Sequence, residues 1–178
     1  IHVGERDGGF NRNKVAIQWK HKLEKLNESD PKGYIHYVRI HAGRGHWMNR
    51  EDAVAVEWMA KYNRNPYPQT IVWKQDDVTH KRSYWISLPD EQIKPRELVI
   101  VSKKDQSIDI QERGQANQID IMLNDEMVDF DKPVTVSHKG KVVFERKPRR
   151  SISEIHRTLK ERGDPGLVFS SRLRVKLN

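Results

Sequence analysis

In Ile40-His41-Ala42-Gly43-Arg44-Gly45-His46-Trp47-Met48 the pattern of apolar residues, glycines and a histidine organises the first third of the chain. A strand-like run ends, two glycines bend the backbone, and a histidine stands at the tip of the turn before a helical pattern begins. A rigid strand end is a common way to present a reactive imidazole.

The flanking segments read as support for that turn. Upstream, Ile1-His2-Val3 has the apolar character of a buried strand end, and Gly4-Glu5-Arg6-Asp7-Gly8-Gly9 follows as a loop. Residues 13–26 read as a helix, with Val15, Trp19, Leu23 and Leu26 on one apolar stripe. Asp30-Pro31-Lys32-Gly33 ends it. Residues 34–41 read as a strand with bulk on both faces, as suits a covered parallel strand. Residues 49–62 read as a second helix capped by Asn49, with Val54, Trp58, Met59 and Tyr62 as its buried stripe.

Asn63-Arg64-Asn65-Pro66-Tyr67-Pro68 marks a boundary, placing one domain at 1–65 and a second at 66–178. Beyond it the apolar period falls from helical to two. Strands are expected at 70–74, 83–88, 98–103, 107–111, 118–123, 134–138, 141–145 and 169–177, with hairpin turns at 103–106 and Lys139-Gly140. One helix interrupts them. Ser151 and Glu154 predict a capping box, Ile152, Ile155 and Leu159 a buried stripe, and Gly163 with Pro165 the stop. The expected fold class is α+β: strand–helix–strand–helix, then a β-rich, sandwich-like domain with one helix.

Composition narrows the function classes. The absence of cysteine excludes disulfides and thiolate metal sites, and it fits any compartment, periplasm and exterior included. No apolar run has the length of a membrane span. The net charge of +8 is uneven: residues 139–178 hold 12 Lys/Arg against 4 Asp/Glu. A basic tail of this kind meets nucleic acid or acidic surfaces, but no nucleic-acid recognition motif accompanies it, so nucleic acid is not the expected partner. His36, His41 and His46 recur every five residues. An odd separation puts His36 and His41 on opposite strand faces, so neither a metal site nor any cofactor is expected. His80 is read as a solvated hairpin tip. Trp47 and Trp58, and also Trp73, Tyr84 and Trp85, are read as packing residues.

The chemistry concentrates on His46 and Asp7. A general base needs a fixed tautomer, usually set by a carboxylate behind the ring. Asp7 follows one strand and His46 the next, 39 residues apart, which accommodates one crossover between parallel strands. The two side chains would then meet at the carboxyl edge of the sheet, as the Asp–His half of a Ser-His-Asp triad. Glu5 is the nearby rival for the acid.

Val3-Gly4-Glu5-Arg6-Asp7, Asn11-Arg12-Asn13 and Gly43-Arg44-Gly45-His46-Trp47-Met48 resemble the C-terminal part of a bacterial α/β-hydrolase of the esterase/peptidase type. Asp131-Lys132-Pro133-Val134-Thr135-Val136, Gly140-Lys141-Val142-Val143-Phe144 and Arg162-Gly163-Asp164-Pro165 resemble the β-rich tail of such enzymes. The resemblance implies a catalytic His46 oriented by Asp7 and a small-molecule or peptide substrate. It departs at the nucleophile, because no serine here lies in a Gly-x-Ser-x-Gly elbow.

The expectation is therefore the C-terminal portion of a serine hydrolase, inactive alone, whose partner is the upstream part of the same protein. Ile1 in place of an initiator Met agrees with a processed chain or a piece of a longer one. Two alternatives remain: a non-enzymatic β-rich binding module, and a basic nucleic-acid-binding protein. Because two strands alone leave open edges, self-association through residues 1–62 is also expected.

Overall fold

The computed structural model describes residues 1–177, a mixed α+β chain with three α-helices and mostly strands. It divides into two compact units, Ile1–Arg64 and Asn65–Asn178.

In the first unit, β1 (His2–Gly4) and β2 (Arg39–His41) form a two-stranded parallel sheet, with Val3 opposite Ile40 and Gly4 opposite His41. The crossover between them is α1 (Arg12–Ser29). A short 3-10 turn, Met48–Ala53, leads into α2 (Val54–Met59).

Several expectations for this unit need correction. The second strand is shorter than predicted, because residues 34–38 run irregularly, and His36 therefore lies outside it. The buried side of α1 centres on Ala16 and not on Val15 and Trp19, which are exposed. Two strands cover only a narrow strip of an 18-residue helix. The second helix is reduced to Val54–Met59, and Asn49 makes no side-chain cap. Met48, Asn49 and Arg50 all have positive φ, and Glu51 is drawn away from the helix start by Arg44 and His41. Val54, Met59 and Tyr62 are exposed; Trp58 is half-buried against Tyr37 and Tyr62.

The second unit holds two sheets. One has five strands, β3 (Thr70–Lys74), β6 (Leu98–Lys104), β7 (Ser107–Glu112), β9 (Val134–His138) and β10 (Lys141–Arg146), in the order β10-β9-β7-β6-β3. The other has β4 (Arg82–Ser83), β5 (Ile86–Ser87), β8 (Gln118–Leu123) and β11 (Ser171–Lys176), in the order β11-β8-β5-β4. All pairings are antiparallel except β7 with β9. The strand expected at 83–88 is split, because Tyr84 adopts a left-handed conformation at a turn between β4 and β5.

Alternation explains the shared core. Val99, Val101, Ile108, Ile110, Val134 and Val136 of one sheet join Ile86, Ile119, Ile121, Leu123, Leu173 and Val175 of the other in one buried cluster. Trp73 and Trp85 belong to that cluster, and the Trp85 indole N–H donates to the Pro68 carbonyl at 2.9 Å. Lys139 and Gly140, with φ of 51° and 75°, form the tight turn between β9 and β10 that the dipeptide predicts.

The third helix, α3 (Ile152–Arg162), is inverted relative to expectation. Its apolar stripe faces outward, with Ile152 85% exposed, and its buried residue is Thr158. The cause is the polar outer face of β8 and β11, where Asp120 and Arg172 stand. Arg172 Nη2 lies 2.8 Å from Glu154 Oε1 and its Nη1 3.4 Å from Asp120 Oδ2. Thr158 Oγ1 donates to the Glu154 carbonyl and accepts from the Phe169 N–H. With Glu154 held by Arg157 and Arg172, the predicted capping box does not form, and the Ser151 hydroxyl pairs with Ser153 instead. The Gly163 stop is present, with φ of 58°.

Removing buried volume from the shared core should therefore dominate the stability of the second unit. Ile121→Ala should cost about 2–5 kcal/mol, whereas the exposed Val142→Ala should change stability by no more than about 0.5 kcal/mol. Urea unfolding followed by Trp fluorescence distinguishes the two.

Candidate active site

The site is set by a close backbone approach at the ends of β1 and β2. A side chain at Gly4 would put its Cβ 2.2 Å from the Gly45 carbonyl oxygen and 2.4 Å from that of Arg44, so only glycine fits. The turn is tied down on both sides. The Glu5 N–H donates to the His41 carbonyl at 3.0 Å and the Arg6 N–H to the Arg44 carbonyl at 2.8 Å. The Glu5 carboxylate accepts from the Gly43 N–H at 2.7 Å. The rival acid thus holds the turn backbone and is not on His46. Gly43 has φ of 67°, which lets the chain reverse at once after β2.

This arrangement brings together the two residues singled out in the sequence. His46 Nδ1 lies 2.8 Å from Asp7 Oδ2. The other carboxylate oxygen, Asp7 Oδ1, accepts from Arg12 Nη1 at 2.8 Å. Asp7 is 7% exposed and the His46 side chain 52%. The hydrogen bond from His46, then that from Arg12, holds the Asp7 carboxyl below its ordinary range; burial opposes both and is outweighed. An ionised carboxylate only accepts, so the proton of a neutral His46 resides on Nδ1 and Nε2 is left as the basic nitrogen. Among the described residues His46 makes no other hydrogen bond, so Nε2 is free to meet a reacting group.

Arg12 is the residue that sequence reading missed. It stands in Asn11-Arg12-Asn13 at the start of α1, one residue ahead of the predicted helix. Its signal was a cation five residues after the candidate acid. An apolar hollow of about 320 Å³ adjoins the pair, walled by Ile1, Val3, Phe10, Trp19 and Met48. Trp47, expected to pack, is 84% exposed and meets His46 edge-on at 5.1 Å.

The other histidines have separate partners. His36 Nδ1 lies 2.8 Å from its neighbour Tyr34's carbonyl oxygen, and His41 lies between His2 and Glu51 at 3.0 and 3.3 Å. His80 is exposed, and the buried Gln75 side chain spans its loop by bonding both backbone groups of His80. Among the described residues no group of three or more His, Asp or Glu could hold a metal ion.

No family model matches the chain, and neither the curated proteins nor the solved structures contain a match to it.

Two outcomes follow from the geometry. Gly4→Ala should destabilise the first unit by about 1–3 kcal/mol through backbone overlap, read as earlier loss of structure in that unit by amide hydrogen exchange. Asp7 is more acidic folded than unfolded, so its stabilisation is present above the ordinary carboxylate pKa and is lost as pH falls through the lowered folded value. Acid titration of stability should show this loss below about pH 4, and Asp7→Asn should remove that part of the pH dependence.

Proposed function

We propose that the chain is the C-terminal portion of a serine α/β-hydrolase that cleaves an ester or amide through an acyl-enzyme. The observation that carries this reading is the 2.8 Å bond between His46 Nδ1 and Asp7 Oδ2, made at the carboxyl ends of two adjacent parallel strands. In this reading His46 Nε2 takes the proton from a serine and returns it to the leaving group, while Asp7 orients the ring and stabilises the imidazolium. Arg12 fixes the Asp7 carboxylate from the opposite side.

The serine is supplied by a segment outside these 178 residues, since none here lies in a nucleophile elbow. Two features support that division. All-parallel sheets occur almost only where helices cover both faces, and this one has only two strands. The first unit also exposes Phe10, Val15, Trp19, Val56 and Met59, an apolar surface of the kind a continuing sheet and its helices bury. In this reading the second unit is an appended β-rich domain.

The protein extended by the coding sequence upstream of Ile1 should react with a fluorophosphonate probe, and His46→Ala should abolish the reaction. Asp7→Asn should slow turnover on the order of 10⁴-fold. The 178-residue chain alone should not label. Labelling that survives His46→Ala would remove the triad assignment. The isolated chain should also self-associate through its first unit, with sedimentation dependent on concentration and reduced by Trp19→Glu.

A further inference from the structure

The second unit carries a groove in which three basic side chains make no ion pair among the described residues. It is about 360 Å³ in volume and lies where the edge strands β10 and β11 approach each other. Arg146, Lys147, Arg149, Arg172 and Arg174 line it around the half-buried Phe144.

The acids near this groove are already engaged. Glu154, the only carboxylate lining it among the described residues, is shared by Arg157 and Arg172, and Asp120 is shared by Arg172 and Arg174. Arg146, Lys147 and Arg149 remain, and among the described residues none of them makes an ion pair. Arg146 lies over the Phe144 ring at 5.8 Å. Lys147 and Arg149 flank the buried Pro148, whose ring fixes the local backbone.

A charged edge strand is commonly a guard against unwanted strand pairing. That explanation covers Lys141 and Arg146 but not Lys147 and Arg149, which lie beyond the end of β10 at Arg146. Asp129 feels the Lys147 charge but is itself held by Lys132 at 3.0 Å, so three cations with no ion pair among the described residues at one concave surface call for an anion of more than one charge. A single carboxylate would leave most of that charge unanswered. A phosphate group, or successive phosphodiesters, offers several acceptor oxygens suited to the guanidinium fork.

We propose that this groove binds a phosphate-bearing ligand through Arg146, Lys147 and Arg149. The same chemistry is offered by a compact phosphate compound and by the backbone of a single-stranded nucleic acid. In the second case Phe144, beneath Arg146, is the aromatic side chain in the groove, among the described residues, on which a base could stack. The proposal is independent of the hydrolase reading.

The test uses the whole 178-residue chain. Inorganic pyrophosphate is titrated by calorimetry and a short fluorescent oligothymidylate by anisotropy, each over a range of salt. Poly-glutamate serves as the non-phosphate anion. Arg146→Gln/Lys147→Gln/Arg149→Gln should weaken binding at least about tenfold and lower the salt slope for the oligonucleotide by about 2. A matched neutralisation in α1, Lys20→Gln/Lys22→Gln/Lys25→Gln, should leave binding unchanged. Arg149→Gln alone should weaken binding measurably and decides the matter if the triple variant does not fold.

Tight pyrophosphate binding identifies a compact site, and binding of the oligonucleotide alone identifies a strand. The proposal is overturned if neither probe binds, if poly-glutamate binds as well as both, or if the α1 variant loses as much as the groove variant.

Discussion

Everything at the candidate site depends on how closely two short strands can end beside each other. Gly4 lets the end of β1 lie against the carbonyls of Arg44 and Gly45, closer than any side chain permits. Glu5 then clamps the Gly43 N–H, and the loop after β1 carries Asp7 to the imidazole of His46. A catalytic pair needs placement to a few tenths of an ångström. Here the placement comes from backbone approach and main-chain hydrogen bonds, which are stiffer than a long side chain. Arg12 completes the arrangement by occupying the second Asp7 oxygen. The carboxylate is thereby ionised and oriented, and the histidine tautomer follows from it.

The two units achieve order by different means. The second has an ordinary protein interior: two sheets with alternating residues, sharing one apolar cluster. The first has a three-residue pairing, a long helix that buries little, and many exposed apolar side chains. Hydrophobic burial is the dominant favourable term in folding. A unit with so little of it depends more on its hydrogen-bonded turn, and its apolar side chains stay exposed.

This contrast also explains what can be read from the sequence. The Asp7–His46 pairing is legible because it follows from local signals: two strand ends, glycines after each, and a crossover of suitable length. Most strands from residue 70 onward are legible because alternation follows burial on one face, though the strand expected at 83–88 is split where Tyr84 turns the chain. Which side of a helix is buried is less legible, because the stripe shows amphipathicity without showing the neighbour. Ile152, Ile155 and Leu159 face outward because the layer beneath α3 is built from Asp120 and Arg172, distant in sequence and charged. Val15 and Trp19 are exposed because two strands leave them without a partner. Arg12 escapes a reading that looks only for a base and its acid, since its role is to hold the acid itself.

Asp7 fixes the neutral His46 ring with its proton on Nδ1 and leaves Nε2 unprotonated. Nitrogen-15 NMR of the His46 ring, taken upward in pH until the ring is neutral, tests this. The expected spectrum has a protonated Nδ1 with a low-field hydrogen-bonded proton, an unprotonated Nε2, and no low-field signal in Asp7→Asn. A neutral ring protonated on Nε2, or a spectrum indifferent to Asp7→Asn, would contradict it.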